Sequence, residues 1–240
     1  MRPTLMALLI AAVALLAGLN LAQYTANSSE EATIERFAEL FMERHAAWYR
    51  NQWWGIQTLQ NPLDAWITQE IIQEVKPDFI VEAGTYQGGS APLWATILEQ
   101  VNPEGRVITI DIEDQVSAAE RLPIWKRKVD FLVGSSTDPA IVAEVRRRVQ
   151  GHRVLVILDS LHTRDHVLAE LRAYAPMVNV GSYVIVQDTG LWRPVRDHPE
   201  GWASDAVEAF LAEDRRFAVD PTRERFILTN CPRGFLRRIR

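Results

Sequence analysis

The chain has 240 residues, 48% of them hydrophobic and 24% charged, enough for one sizeable α/β domain with a short extension. A formal net charge of −5 excludes recruitment of nucleic acid by bulk electrostatics, and Arg146-Arg147-Arg148 and Arg237-Arg238-Ile239-Arg240 read as a solvated helix face and tail. The single cysteine, Cys231, excludes an intrachain disulfide and a thiolate-rich metal site.

Residues 5–19 carry no charge, and the apolar stretch runs on to Ala22 with only Asn20 interrupting, at the lower edge of what spans a bilayer. A secretory signal is the rival reading, since Arg2 precedes an apolar core. Neither Asn20-Leu21-Ala22 nor Tyr24-Thr25-Ala26 makes a good small-x-small cleavage site, so the expectation is an uncleaved single-pass anchor over residues 1–23. Its flanks carry Arg2 before it and Glu30, Glu31, Glu35 and Glu39 against Arg36 after it, a bias that taken literally exports the domain.

Ser28 and Glu31 have capping-box spacing, and Ile34, Phe37, Ala38, Phe41 and Trp48 then recur at helical intervals. Trp53-Trp54-Gly55 and Asn61-Pro62 break that pattern. Leu63 to Val75 predicts a second helix, closed by Lys76-Pro77. Residues 24–76 thus read as a helical extension ahead of a domain over 77–240.

From there strands and helices alternate. Phe79-Ile80-Val81 ends at Glu82, and a turn with Gly84, Gly88 and Gly89 leads to a helix opening near Ser90. Further strands are expected at 106–111, 129–133, 153–158 and 182–186, with helices at 141–150, 167–178 and 206–212. Phe217-Ala218-Val219 and Arg225 to Thr229 lack room for a helix between them and predict an antiparallel hairpin. The pattern implies an α/β fold, a mostly parallel sheet covered on both faces.

Ligands of open α/β sheets bind outside the carboxyl ends of the strands. Here those ends read Glu82, Asp111, Gly134-Ser135, Asp159 and Gln187-Asp188, so four of five present a carboxylate that no fold requires. Asp111 stands where an acid holds ribose hydroxyls, with Glu113 competing and a helix N-cap as the bland alternative. Asp159 and Asp188 end neighbouring strands, where two carboxylates repel unless a cation lies between them. Oxygen ligands suit Mg²⁺, with Mn²⁺ second, and such a metal would polarise a substrate hydroxyl. His162, three residues after Asp159, is a candidate general base, with a structural histidine as the alternative. The turn offers Gly84, Thr85, Tyr86, Gly88 and Ser90 to a ligand, but its glycines do not follow G-x-G-x-x-G, so an adenosine ligand without pyrophosphate fits better than a dinucleotide.

GTYQGGSA after a strand resembles the first motif of class I S-adenosylmethionine-dependent methyltransferases, specifically the metal-dependent O-methyltransferases. The wider ordered set is Trp54-Gly55, Pro62-Leu63-Asp64-x-Trp66, Gln69-Glu70, Lys76-Pro77-Asp78, Asp159-Ser160-x-His162 and Pro232-x-Gly234-Phe235-Leu236. It resembles the cephalosporin hydroxylase / rhamnosyl O-methyltransferase family over residues 45–240. The resemblance implies a Rossmann-like fold with a seven-stranded sheet ending in an antiparallel hairpin, and S-adenosylmethionine beside Mg²⁺. By position, Glu82, Gly84, Tyr86 and Gly88 would line the methionine part, Asp111 the ribose, and Ser135 or Ser136 the adenine. Asp159 and Asp188 would ligate the metal. Where the family usually has a Glu-Asp pair this chain has Gln187-Asp188, so the site keeps an oxygen at Gln187 but loses a charge.

The resulting expectation is an O-methyltransferase for a small-molecule, sugar or lipid-linked hydroxyl. Its rivals are a hydroxylase or oxidoreductase on the same fold, or a non-catalytic S-adenosylmethionine-binding module. Trp53, Trp54, Trp192 and Trp202 suit an apolar or ring-bearing acceptor, and packing explains them equally well. S-adenosylmethionine is a cytosolic metabolite, so this chemistry requires a cytosolic domain tethered at the membrane, against the charge bias. A homo-oligomer is left open, and no nucleic-acid partner is expected.

Overall fold

The computed structural model of the protein describes residues 12–21, 30–44, 48–190 and 201–240. Their contacts divide into two compact units, with the boundary between His45 and Ala46.

In the first unit, helix α1 covers residues 12–21 with every residue exposed. Among the described residues no helix is long and apolar enough to cross a membrane. That finding overturns the expected single-pass anchor over residues 1–23, and with it the membrane-tethered localisation. Helix α2, Glu30–Ala38, continues as a π-helical turn, Glu39–Arg44, with the Phe37 and Phe41 rings stacked at 5.6 Å. Ser28 of the proposed capping box lies outside the described residues.

The second unit opens with a small hairpin, β1 (Gln52–Trp53) and β2 (Ile56–Gln57). Trp54 and Gly55 both take positive φ, 49° and 82°, the geometry of a two-residue hairpin loop. Helix α3, Pro62–Val75, starts with Asn61 accepting from Leu63 N at 3.0 Å and stops where Lys76 turns left-handed at φ 47° ahead of Pro77.

The main sheet comprises β3 (Phe79–Ala83), β4 (Arg106–Asp111), β5 (Val129–Val133), β6 (Val154–Leu158), β7 (Tyr183–Val186), β8 (Phe217–Val219) and β9 (Phe235–Arg238). Its order is β5-β4-β3-β6-β7-β9-β8, parallel throughout except that β9 runs antiparallel to both β7 and β8. The antiparallel end is as expected, but its second strand is not Arg225 to Thr229. There Pro221–Glu224 forms a 3₁₀ turn and Ile227 sits at φ 70°, which a ladder cannot accommodate. The pairing strand is Phe235–Arg238, whose Phe235 and Leu236 are buried.

Helices α4 (Ser90–Val101), α5 (Pro123–Lys128), α6 (Pro139–Val149), α7 (Arg164–Tyr174) and α8 (Ala203–Glu213) complete the unit. Alternation along the strands fills two cores. Val81, Ala83, Ile108, Val156 and Val184 face α6, α7 and α8, while Ile80, Val107, Leu155, Ile157 and Ile185 face α3, α4 and α5. Each fully buried aliphatic chain stabilises the fold by roughly 1.5–3 kcal/mol.

The same alternation turns Glu82 into the second core. It is 0% exposed, and its oxygens accept from Trp94 Nε1 at 2.9 Å and Thr109 Oγ1 at 2.6 Å, with a further bond to Ser90. Burial pushes its pKa from 4.5 to about 7. The folded state therefore holds a proton that the unfolded chain releases, so this contribution to stability is full below pH 4.5 and lost as pH rises through 7. Asp64, pushed to about 6 mainly by burial, acts with the same sign. In Glu82→Gln the amide keeps an acceptor for Trp94 and donates to Thr109, whose hydroxyl turns to Thr85 Oγ1, 2.6 Å away. Unfolding in denaturant across this pH range is expected to show a loss about 3 kcal/mol larger in the wild type than in Glu82→Gln, which keeps the Asp64 contribution. Parallel pH profiles for the two proteins would refute the assignment.

Candidate functional site

The sheet reverses its winding at β3, whose neighbours are β4 and β6, and the crevice at their carboxyl ends is where an α/β sheet binds ligands. Gly84 lets the exits of β3 and β6 pack backbone against backbone. It leaves β3 at φ 97°, and a Cβ there would lie 1.9 Å from the carbonyl oxygen of Asp159. Gly84 N donates to Ile110 O at 2.9 Å and Asp159 N to Ala83 O at 2.8 Å, so the exits of three strands are stitched together. A Cβ on Gly89 would meet Thr58 Oγ1 at 2.1 Å and Gln57 O at 2.2 Å, which brings the β1–β2 hairpin against the turn.

Asp111 bolts that turn to β4. Its Oδ2 accepts from the backbone N–H groups of Thr85 (2.9 Å) and Tyr86 (2.8 Å), and Oδ1 accepts from Glu113 N at 3.1 Å. A carboxylate has about four acceptor directions, so capacity remains on its exposed side. Tyr86 holds φ 48°, and its hydroxyl lies 3.5 Å from that of Tyr49. The side chains of Thr85, Glu82 and Ser90 are buried beneath the turn rather than set in the crevice. They brace its backbone.

Across the crevice, ligand atoms of Asp159, His162 and Asp188 all lie within 4.8 Å of one another. His162 Nε2 is 3.2 Å from Asp188 Oδ2 and 3.9 Å from Asp159 Oδ1. Burial, then the facing charge of Asp188, raises the Asp159 pKa well above the ordinary carboxylate range. Two acids and an imidazole so close fit a divalent cation, which would relieve that repulsion. Asp188 follows β7 at φ 53°, a left-handed position that aspartate tolerates, and the Trp202 indole N–H donates to its carbonyl at 2.5 Å. The Trp202 ring lies 5.7 Å from that of His162.

Gln187 is buried, and its Nε2 donates to Gln60 Oε1 at 2.8 Å; Gln60 Nε2 donates in turn to Asp159 Oδ2 at 2.8 Å. The segment carrying Gln60 is latched from below. Asp64 accepts from Thr229 Oγ1 (2.5 Å) and Asn230 N (2.7 Å), and Asn61 Nδ2 donates to Asn230 Oδ1 at 3.2 Å.

The two serines after β5 diverge. Ser135 is half-buried beside Thr137, whereas Ser136 Oγ turns inward to Glu170 Oε1 at 2.5 Å. Ser160 Oγ reaches the same Glu170 oxygen at 2.6 Å, and His166 Nε2 lies 3.3 Å from it. Glu170 thereby ties the loop after β5 to the loop after β6. Sequence reasoning missed Gln60 and Glu170, and it named Trp202 for an acceptor or for packing without its bond to the Asp188 carbonyl. The His166–Glu170 spacing of four on a helix was a usable signal; Gln60 has none, because its role arises from contacts across the chain. Trp192 lies outside the described residues. Ile112, Val133 and Leu161, at the ends of the same strands, stay 54–69% exposed.

The rhamnosyl O-methyltransferase/CmcI family matches residues 45–239. A rhamnosyl O-methyltransferase of Mycobacterium bovis (strain BCG / Pasteur 1173P2) is 32% identical over 200 residues, covering 79% of this chain and 78% of the relative. That of Mycobacterium leprae (strain TN) is 32% identical over 195 residues, covering 79% and 83%. Among solved structures, "cmcI-D160 Mg-SAM" superposes with a TM-score of 0.59 at 19% identity, covering 80% of this chain and 78% of that one. The O-methyltransferase TomG from Streptomyces achromogenes, solved with SAM, gives 0.52 at 17% identity, covering 82% and 85%. With a match spanning most of its length and relatives at this identity, the chain belongs to the rhamnosyl O-methyltransferase/CmcI family.

Proposed function

We propose that this protein is an S-adenosylmethionine-dependent, Mg²⁺-dependent O-methyltransferase acting on a hydroxyl of a sugar or other small molecule. The observation that carries the reading is that the glycine turn packs against Asp159 at the same carboxyl edge where Asp159, His162 and Asp188 converge. Family membership supports the reaction class, and the name of the mycobacterial relatives supports a sugar hydroxyl as acceptor.

In this reading the backbone of Gly84, Thr85, Tyr86 and Gly88 lines the methionine part, and Asp111 takes the ribose on its open side. Ser135 lies by the adenine, which the exposed Ile112 and Val133 cover with apolar surface. Ser136, turned toward Glu170, supports this loop from behind. Asp159 and Asp188 would hold Mg²⁺, or Mn²⁺ as second choice, which when bound would supply a Lewis acid for the acceptor hydroxyl. His162 Nε2, directed at the cluster, takes the hydroxyl proton. The oxygen then displaces the sulfonium methyl in line: one O–C bond forms, one S–C bond breaks, and S-adenosylhomocysteine leaves as a neutral thioether. The residues contribute mainly position and charge. One imidazole with two carboxylates is not the two-imidazole, one-carboxylate set of non-haem iron oxygenases, which disfavours a hydroxylase.

Asp159→Ala and Asp188→Ala are each expected to abolish methyl transfer while leaving S-adenosylmethionine affinity, measured by calorimetry, largely intact. Near-normal turnover by either variant with Mg²⁺ present would sink the site assignment. His162→Gln is expected to lower kcat by roughly 10²–10⁴-fold without weakening cofactor binding, and its deficit should shrink at alkaline pH, where the hydroxyl ionises more readily unaided. A pH-independent deficit in steady-state rates would instead make His162 a positioning group.

A further inference from the structure

We infer that Gln60 is a positioning residue for the metal-facing carboxylate of Asp159, and that an amide stands at position 187 because Gln60 needs a hydrogen-bond donor behind it. This rests on the cation reading of the Asp159–His162–Asp188 cluster.

A carboxylate that holds a cation is ionised and accepts hydrogen bonds only. Asp159 Oδ1 faces His162 and the cluster, so its Oδ2 is the oxygen open to support from the protein, and Gln60 Nε2 supplies it at 2.8 Å. That bond sets the direction of the Gln60 amide. Its NH₂ is committed to Asp159, so Oε1 points the other way and must meet a donor. Gln187 Nε2 is that donor, at 2.8 Å. Gln60 and Gln187 are 4% and 5% exposed, so solvent does not stand in for either partner. A glutamate at 187 would set two acceptors face to face with no hydrogen between them, and buried unmatched acceptors are costly. The chain Gln187→Gln60→Asp159 therefore runs in one direction and ends on the carboxylate. The amide at 187 serves as a donor in that chain, a different role from the ligand expected of it.

Gln60 itself is held on three sides. Asn51 Nδ2 donates to its carbonyl oxygen at 2.8 Å, Asn61 next to it is tied to Asn230, and Asp64 is tied to Thr229 and Asn230. The donor thus comes from a segment with little freedom to move away, and the bond fixes the plane of the Asp159 carboxylate. Groups that orient metal ligands in this way typically govern affinity by about 10- to 100-fold.

The test is Mg²⁺ calorimetry and Mn²⁺ titration by electron paramagnetic resonance on the full chain without acceptor, comparing wild type, Gln60→Met, Gln187→Met and the double variant. Methionine keeps the length and removes the amide, and S-adenosylmethionine affinity reports whether each variant is folded. Gln60→Met is expected to weaken both ions by about 10- to 100-fold. Gln187→Met should weaken them less, and the double variant should be no worse than Gln60→Met, because Gln187 acts through Gln60. Unchanged ion affinity in a folded Gln60→Met overturns the inference alone. An additive double variant makes Gln187 a ligand in its own right and overturns its assigned role. Should Gln60→Met fail to bind S-adenosylmethionine, unchanged ion affinity in Gln187→Met overturns the chain. Wild-type protein that binds neither ion overturns the cation reading itself, and this inference with it.

Discussion

The site depends on one close approach of backbone to backbone. Gly84 lies so near the Asp159 carbonyl that no side chain fits between them. That approach sets the turn after β3 and the acid after β6 side by side at the carboxyl edge of the sheet. A ligand held by the turn is thereby presented to groups fixed on the neighbouring strand. Parallel pairing of β3 with β4 and β6 sets the approach, and the bonds Gly84 N to Ile110 O and Asp159 N to Ala83 O carry the pairing just past the strands. The hydrophobic cores on the two faces hold these strands; the crevice is what is left at their ends.

Around that approach the protein manages an excess of negative charge. Glu82, Asp111, Asp159 and Asp188 come together at one end of the sheet, and each is handled differently. Glu82 is enclosed and bonded to Trp94 and Thr109, and burial raises its pKa. Asp111 is engaged by backbone N–H groups of the turn. Asp159 and Asp188 lie close together with His162 beside them, and burial followed by the facing Asp188 charge raises the Asp159 pKa, which suits a cation site. Polar supports reach the pair from distant parts of the chain: Gln60 from the segment before α3, Trp202 from the start of α8, and the Asp64–Thr229 latch that fastens the C-terminal segment.

Sequence reasoning described the two ends of the chain least well. The apolar run at the N-terminus has the composition of a membrane segment, yet among the described residues no helix is long and apolar enough to cross a membrane. At the C-terminus, Arg225 to Thr229 has the residue types of a strand, but a 3₁₀ turn before it and the positive φ at Ile227 leave Phe235–Arg238 to pair with β7. Strand pairing is a nonlocal choice, and the local pattern there pointed to the wrong partner.

The sequence by itself determined what depends on local pattern. Apolar runs and helical spacing located the five parallel strands, β8 and most helices, the glycine turn marked where a ligand meets backbone, and the acids at strand ends marked the carboxyl edge as the site. The ordered motifs identified the family. Only the tertiary structure decided which of those groups face the crevice. It turned Glu82, Ser90 and Ser136 inward, where the pleat and neighbouring hydrogen-bond partners direct them, and left Asp159, His162 and Asp188 together. It also introduced Gln60, separated from Asp159 by 99 residues, and made Gln187 a donor. A hydrogen bond between residues so far apart leaves no periodic trace, because its register is set by packing of whole elements rather than by the residues beside it.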